Sequence, residues 1–119
     1  MTDLIQRVVA AIIRQEGEPE WAVNPGNLRG APWLLTKPVI DDKNFWKPTT
    51  RAEGIAGLAH LFALHLAQGN TLRDFIAGHP GIYAGFAPGA DHNDDAAYIA
   101  HVQEWAAIPN ADQILYELL

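Results

Sequence analysis

Apolar residues Leu4, Ile5, Val8, Val9, Ile12 and Ile13 recur at the spacing of one helix face, behind Thr2 as N-cap and ahead of Gly17 as a left-handed stop. This predicts an amphipathic N-terminal helix. From Glu18 to Thr49 the periodicity disappears, and Pro19, Pro25, Gly26, Gly30, Pro32, Pro38 and Pro48 interrupt any helix. Within that stretch Trp33–Ile40 and Phe45–Trp46 are expected to form a short hairpin around Asp41, Asp42, Lys43 and Asn44. Helix resumes at Thr50-Arg51-Ala52-Glu53, whose first and fourth residues have the pattern of a capping box, with Ile55, Leu58, Ala59, Phe62 and Leu66 as the buried face and Gly69 as the stop. Thr71-Leu72-Arg73-Asp74 repeats the cap for a short helix carrying Leu72, Phe75 and Ile76. Asn93, with Asp94 and Asp95 at a positive helix end, starts another whose face holds Tyr98, Val102 and Trp105, and a C-terminal helix is expected near Ala111–Leu118. The expected architecture is mainly α: an N-terminal helix, an irregular or short β-hairpin segment, then three to four helices in a single domain spanning residues 1–119.

Composition narrows the function. Hydrophobic residues make up 49% of the 119, enough for a packed core, so the chain is not a disordered segment. A net charge of −6 with 8 Lys and Arg argues against a nucleic-acid partner. There is no cysteine, hence no disulfide, thiolate nucleophile or thiolate ligand. Asp3, Gln6, Arg7 and Arg14 are spread along Met1–Gln15, unlike the centre of a signal peptide or membrane span, so neither export signal nor stable membrane insertion is expected. Localisation is left open. Asp91-His92-Asn93-Asp94-Asp95 lacks the ligand spacing of a zinc or calcium site and reads as a helix start, and no phosphate loop, nucleophile elbow or dinucleotide fingerprint occurs. No metal or cofactor is expected. His60, His65, His79 and His101 are scattered and are assigned no chemistry, while Gly54 and Gly57 suit close helix packing.

The irregular segment is the place to look for function, since long aperiodic stretches inside a domain usually carry it. Three of the four tryptophans, Trp21, Trp33 and Trp46, fall there, with flat faces that suit a pyranose ring. Glu16 ends the row Ile5, Val9, Ile12, so the buried face of the helix carries a carboxyl inward. Burial and the negative end of the helix dipole both disfavour the anion, which predicts a raised pKa and a proton available to a leaving oxygen. The alternative is a glutamate that frays into solvent with Glu18 and Glu20. Asn24-Pro25-Gly26-Asn27-Leu28-Arg29 follows as a tight turn, with Pro25 fixing one torsion and Gly26 permitting a positive one. Its amides can donate to and accept from sugar hydroxyls and acetamido groups. Equally, the turn can be purely structural, with Arg29 paired to an acid.

Taken together, Glu16-Gly17, Asn24 to Arg29, Glu53-Gly54-Ile55-Ala56-Gly57-Leu58, and Phe86-Ala87-Pro88 leading to Asn93 and Tyr98-Ile99 resemble a bacterial and phage group in the lysozyme-like superfamily, the small muramidase or lytic-transglycosylase-like domains. The resemblance covers most of the chain, and the hexapeptide is its most specific part. It implies an α+β lysozyme-like fold and a peptidoglycan glycan strand as substrate, cut between its amino sugars. By the same likeness Glu16 is the catalytic acid, with Tyr98 coming near it from a later helix. Asn24, Asn27, Arg29, Trp33, Trp46 and Tyr98 are then the expected substrate-binding residues of a monomer. The Gly-Leu-Met-Gln type of signature of soluble lytic transglycosylases is absent. No clear second carboxylate is present either, since Asp41 and Asp42 read as a hairpin tip and Glu53 as a cap, and this favours transglycosylase-like cleavage over hydrolysis. The rival readings are a non-catalytic phage structural or cell-wall-binding module of the same fold, and a helical interaction domain with no glycan contact.

Overall fold

The computed structural model describes residues 2–29, 39–79, 85–86 and 94–119. Helix α1, Asp3–Glu16, starts where the Thr2 hydroxyl accepts the Ile5 amide and stops at Gly17, whose φ of 69° turns the chain away. Leu4, Val8, Val9, Ala11 and Ile12 are its buried residues. Helix α2, Arg51–Ala67, buries Leu58, Phe62 and Leu66, and helix α3, Leu72–Ala77, buries Leu72, Phe75 and Ile76. Helix α4, Asp95–Trp105, buries Tyr98, Ile99 and Val102. The domain is mainly helical: α1 packs on both α2 and α4, and α3 packs on α4, so one apolar cluster draws on all of them. None of the described helices is long and apolar enough to cross a membrane.

Local chemistry explains where the elements differ from expectation. The Thr50 hydroxyl accepts the Glu53 amide, but the Glu53 carboxylate turns to the Thr49 amide at 3.3 Å rather than to Thr50, so only half of the expected box forms. The complete box is at Thr71 and Asp74. Asp94 caps α4 through the Ala97 amide, while Asn93 lies outside the described residues. The expected C-terminal helix is reduced to a 3-10 turn, Leu115–Leu118. Ahead of it Ile114 is extended and bridges Thr71, and the Leu115 amide bonds the Asn70 carbonyl, so tertiary pairing overrides the local helix signal. Residues 33–38 of the expected hairpin lie outside the described residues. Its remaining part makes isolated bridges, Ile40 to Trp46 and Arg29 to Phe45, without a ladder. Asp41 builds the turn between them by accepting the Lys43 and Phe45 amides at 2.8 and 2.9 Å.

Candidate active site

The inward row of α1 places Glu16 half-buried at the helix end, and the left-handed Gly17 folds the following chain back across it. The next feature is the turn Asn24–Asn27, closed by the Asn27 amide on the Asn24 carbonyl at 3.0 Å. The positive torsion expected at Gly26 belongs instead to Asn27, with φ 51°, a conformation that Asn adopts more readily than most residues. Gly26 serves a different need: a Cβ there would stand 3.0 Å from Leu58, so its small size lets the turn seat on α2. Because Asn27 is left-handed, its side chain projects back to the helix end. Its Nδ2 donates to Glu16 Oε2 at 3.3 Å and to Glu18 Oε1 at 3.0 Å.

From the opposite side the Tyr98 hydroxyl donates to Glu16 Oε1 at 3.0 Å. Aromatic packing fixes that hydroxyl. Phe86 stands edge-on to the Tyr98 ring with centroids 6.3 Å apart and stacks on Phe75 at 5.4 Å, and Phe75 meets Phe62 edge-on at 5.3 Å. The donor is thus anchored to the core through a column of rings.

Glu16 therefore has one donor on each oxygen, and three influences compete over its proton. Burial pushes its carboxyl above the ordinary 4.5 and is the largest; the bonds from Asn27 and Tyr98 pull it down; the Glu18 carboxylate pushes it up again. Burial wins. Tyr98 is pushed upward by burial and by the adjacent Glu16, so it stays a phenol and a donor at any working pH. Each carboxyl oxygen has two lone pairs, and Asn27 and Tyr98 engage one on each, which leaves a place for the proton on the unengaged side. The arrangement is suited to a general acid. Tyr98→Phe, which keeps the ring packing and deletes only the donor, is expected to raise the Glu16 pKa further, read by carbon-13 NMR of its carboxyl. A downward movement would mean that the phenol disfavours the anion.

The other expected site residues have different duties. Asn24 is fully engaged with backbone: its Oδ1 accepts the Leu28 amide at 3.0 Å, and its Nδ2 donates to the carbonyls of Leu28 at 3.0 Å and Trp46 at 2.9 Å. It braces the turn, with both Nδ2 hydrogens donated to backbone carbonyls. Arg29 donates to the Lys43 carbonyl at 2.6 Å and covers the Phe45 ring at 4.2 Å, which ties it to the 41–45 turn instead of the helix end. Trp46 is only 8% exposed, and its ring lies so close to Gly57 that a Cβ there would meet Cζ3 at 2.4 Å; it is core, not an open platform. Trp21, 82% exposed, does present a free face. Trp33 lies outside the described residues.

The sequence offers Glu18 only as a residue fraying into solvent, whereas the shared Asn27 amide makes it a neighbour of Glu16. Also unanticipated are His101, whose Nδ1 meets Gln15 Oε1 at 2.7 Å, and Arg14, whose guanidinium lies 4.0 Å from the Trp105 ring centroid. Only the antiparallel contact of α1 with α4 brings these together, and helical periodicity within one segment does not reveal which helix it will face. The chain matches no protein-family model, no curated protein and no solved structure.

Proposed function

We propose that residues 1–119 form a lysozyme-like domain that cleaves the glycan strand of peptidoglycan between its amino sugars, with Glu16 as general acid and then base. The observation that carries the reading is a half-buried helix-end carboxyl, pushed toward its protonated form and held by Tyr98 and Asn27 on separate oxygens. The hexapeptide resemblance supplies the substrate class. In this scheme Glu16 gives its proton to the bridging oxygen as the bond from the anomeric carbon to that oxygen breaks, and the departing sugar leaves as an alcohol. Positive charge then develops on the ring left behind.

Of the acids that the sequence offers as partners, Asp41 holds its turn, the Glu53 carboxylate accepts the Thr49 amide, and Asp42 is exposed. In this reading the cation is stabilised by the substrate's own acetamido group and captured by the sugar's own 6-hydroxyl, whose proton returns to Glu16. That balance yields an anhydro end. Mass spectrometry of digested sacculi tests it: soluble fragments with anhydro ends are expected, reducing ends would mean that water is the acceptor, and sacculus binding without release would make the domain a wall-binding module.

A further inference from the structure

Glu16, Gln15 and Arg14 at the end of α1 meet Tyr98, His101 and Trp105 on α4 in three successive pairs, so the acid is one end of a band running along the helix seam. Toward its far end the His101 ring stacks on Trp105, with centroids 5.1 Å apart and planes 17° from parallel, and the Arg14 guanidinium lies over the same indole. Arg14 and His101 are exposed, and Trp105 is half-buried.

Arginine usage sets Arg14 apart. Arg7 is spent on Asp3 and on the carbonyls of Ala106 and Ala107 at the end of α4, Arg29 on the Lys43 carbonyl, Arg51 on the Ala22 and Pro19 carbonyls, and Arg73 on Asp112. Among the described residues Arg14 has no hydrogen bond or ion pair, only the indole face. With its central carbon 4.0 Å from the indole centroid, the guanidinium rests against the ring face and leaves its forked N–H groups to a carboxylate taken by two parallel bonds. His101 Nδ1 is engaged by Gln15 Oε1, so Nε2 is the ring nitrogen left to hydrogen-bond a partner such as a peptide group. The groups thus present a receptor for a carboxylate beside an amide.

We infer that the Arg14–Trp105–His101 cluster binds an acidic peptide, and specifically the carboxylate-bearing peptide substituent of the strand that Glu16 cuts. The assignment of the peptide to that strand rests on the glycan-cleavage reading. Charge supports it: a chain of net charge −6 repels an anionic polymer except where a cation is presented locally, and Arg14 is that cation on the seam leading to the acid. Glu104, the neighbouring acid on α4, is carried about 100° around the helix from Trp105.

The test compares peptide-bearing glycan strands with the same strands after their peptide carboxyls are converted to amides. For Arg14→Ala, KM is expected to rise about tenfold on the native strands with kcat unchanged, and to match wild type on the amidated ones; Arg14→Lys should recover part of the loss, because it restores charge without the fork. An equal KM on native strands, or the same rise on both polymers, overturns the proposal. A binding experiment separates this failure from failure of the cleavage reading. Titration of a soluble disaccharide-peptide should move the Trp105 indole N–H and His101 ring resonances in wild type and not in Arg14→Ala, whether or not any bond is cut. Absence of those shifts in wild type sinks the peptide site, whereas shifts without turnover keep the site and remove the enzyme.

Discussion

Glu16→Gln is expected to lower the rate of glycan cleavage about 10²–10⁴-fold while making the folded protein more stable at neutral pH. The first effect follows from the loss of the transferable proton. Among the described residues the nearest other carboxyl, Glu18, is exposed. The second follows from linkage. Burial raises the Glu16 carboxyl above its reference value of 4.5, so between that value and the raised one the native state holds a proton that the unfolded chain has released. Stability from this group is fully present below pH 4.5 and is lost as the pH climbs through the raised value. A neutral amide of nearly the same shape avoids that loss. Its oxygen can still accept from Tyr98, while its NH2 faces the NH2 of Asn27, which then keeps only Glu18. Thermal unfolding across a pH series checks the sign: Glu16→Gln should unfold above wild type at pH 7, with the difference closing below pH 4.5. A variant whose deficit against wild type grows as the pH rises would show that the two hydrogen bonds to the carboxylate outweigh its burial. In wild type the same titration should set the alkaline limb of kcat/KM, which falls as Glu16 loses its proton.

How much of this was legible beforehand depends on whether a residue's role is decided by its own segment. The amphipathic face of α1, the Thr2 cap and the Gly17 stop are decided within one helix, and the structure reproduces them. So is the inward placement of Glu16, because the apolar row fixes its direction. Thr71 and Asp74 likewise needed only four residues of context. For Asn24, Arg29 and Trp46 the sequence does not reveal the contacts they make within the fold, because residue type alone cannot say whether an amide, a guanidinium or an indole will be engaged by it. Asn24 is claimed by the carbonyl of Trp46, far along the chain, and Trp46 by the flat spot at Gly57. The C-terminal residues carry a helix signal and lose it to pairing with Thr71 and Asn70. Glu18 is a neighbour of Glu16 through a positive torsion at Asn27 that residue type predicts at Gly26 instead. In each case the deciding partner lies across a turn or on another element.

Gly54→Ala is expected to be among the most damaging single-methyl changes in the protein, lowering stability by about 2–3 kcal/mol and cleavage with it. On an isolated helix the same change would help by about 1 kcal/mol, because alanine restricts the unfolded chain and favours helix. Here the new Cβ would lie 1.8 Å from the Val23 carbonyl oxygen and 2.9 Å from its carbon, with Pro48 at 3.3 Å. A backbone carbonyl cannot swing aside as a flexible side chain can, so the whole 19–24 stretch must lift from α2. Arg51, one turn earlier, holds the same stretch through the Ala22 carbonyl at 2.8 Å, and Asn24 begins the turn that aims Asn27 at Glu16. The strain is therefore delivered to the acid's own support. At the size of this chain a Tm loss of roughly 8–12 °C follows. Gly57→Ala provides the comparison: its Cβ would meet the buried Trp46 ring at 2.4 Å, a side-chain contact in the core rather than a backbone contact under the turn that carries Asn27. It should cost stability while leaving the Glu16 titration close to wild type, whereas Gly54→Ala should move both. A Gly54→Ala protein that melts at or above the wild-type temperature would mean that the turn does not rest on α2, and the placement of Asn27 over the acid would fall with it.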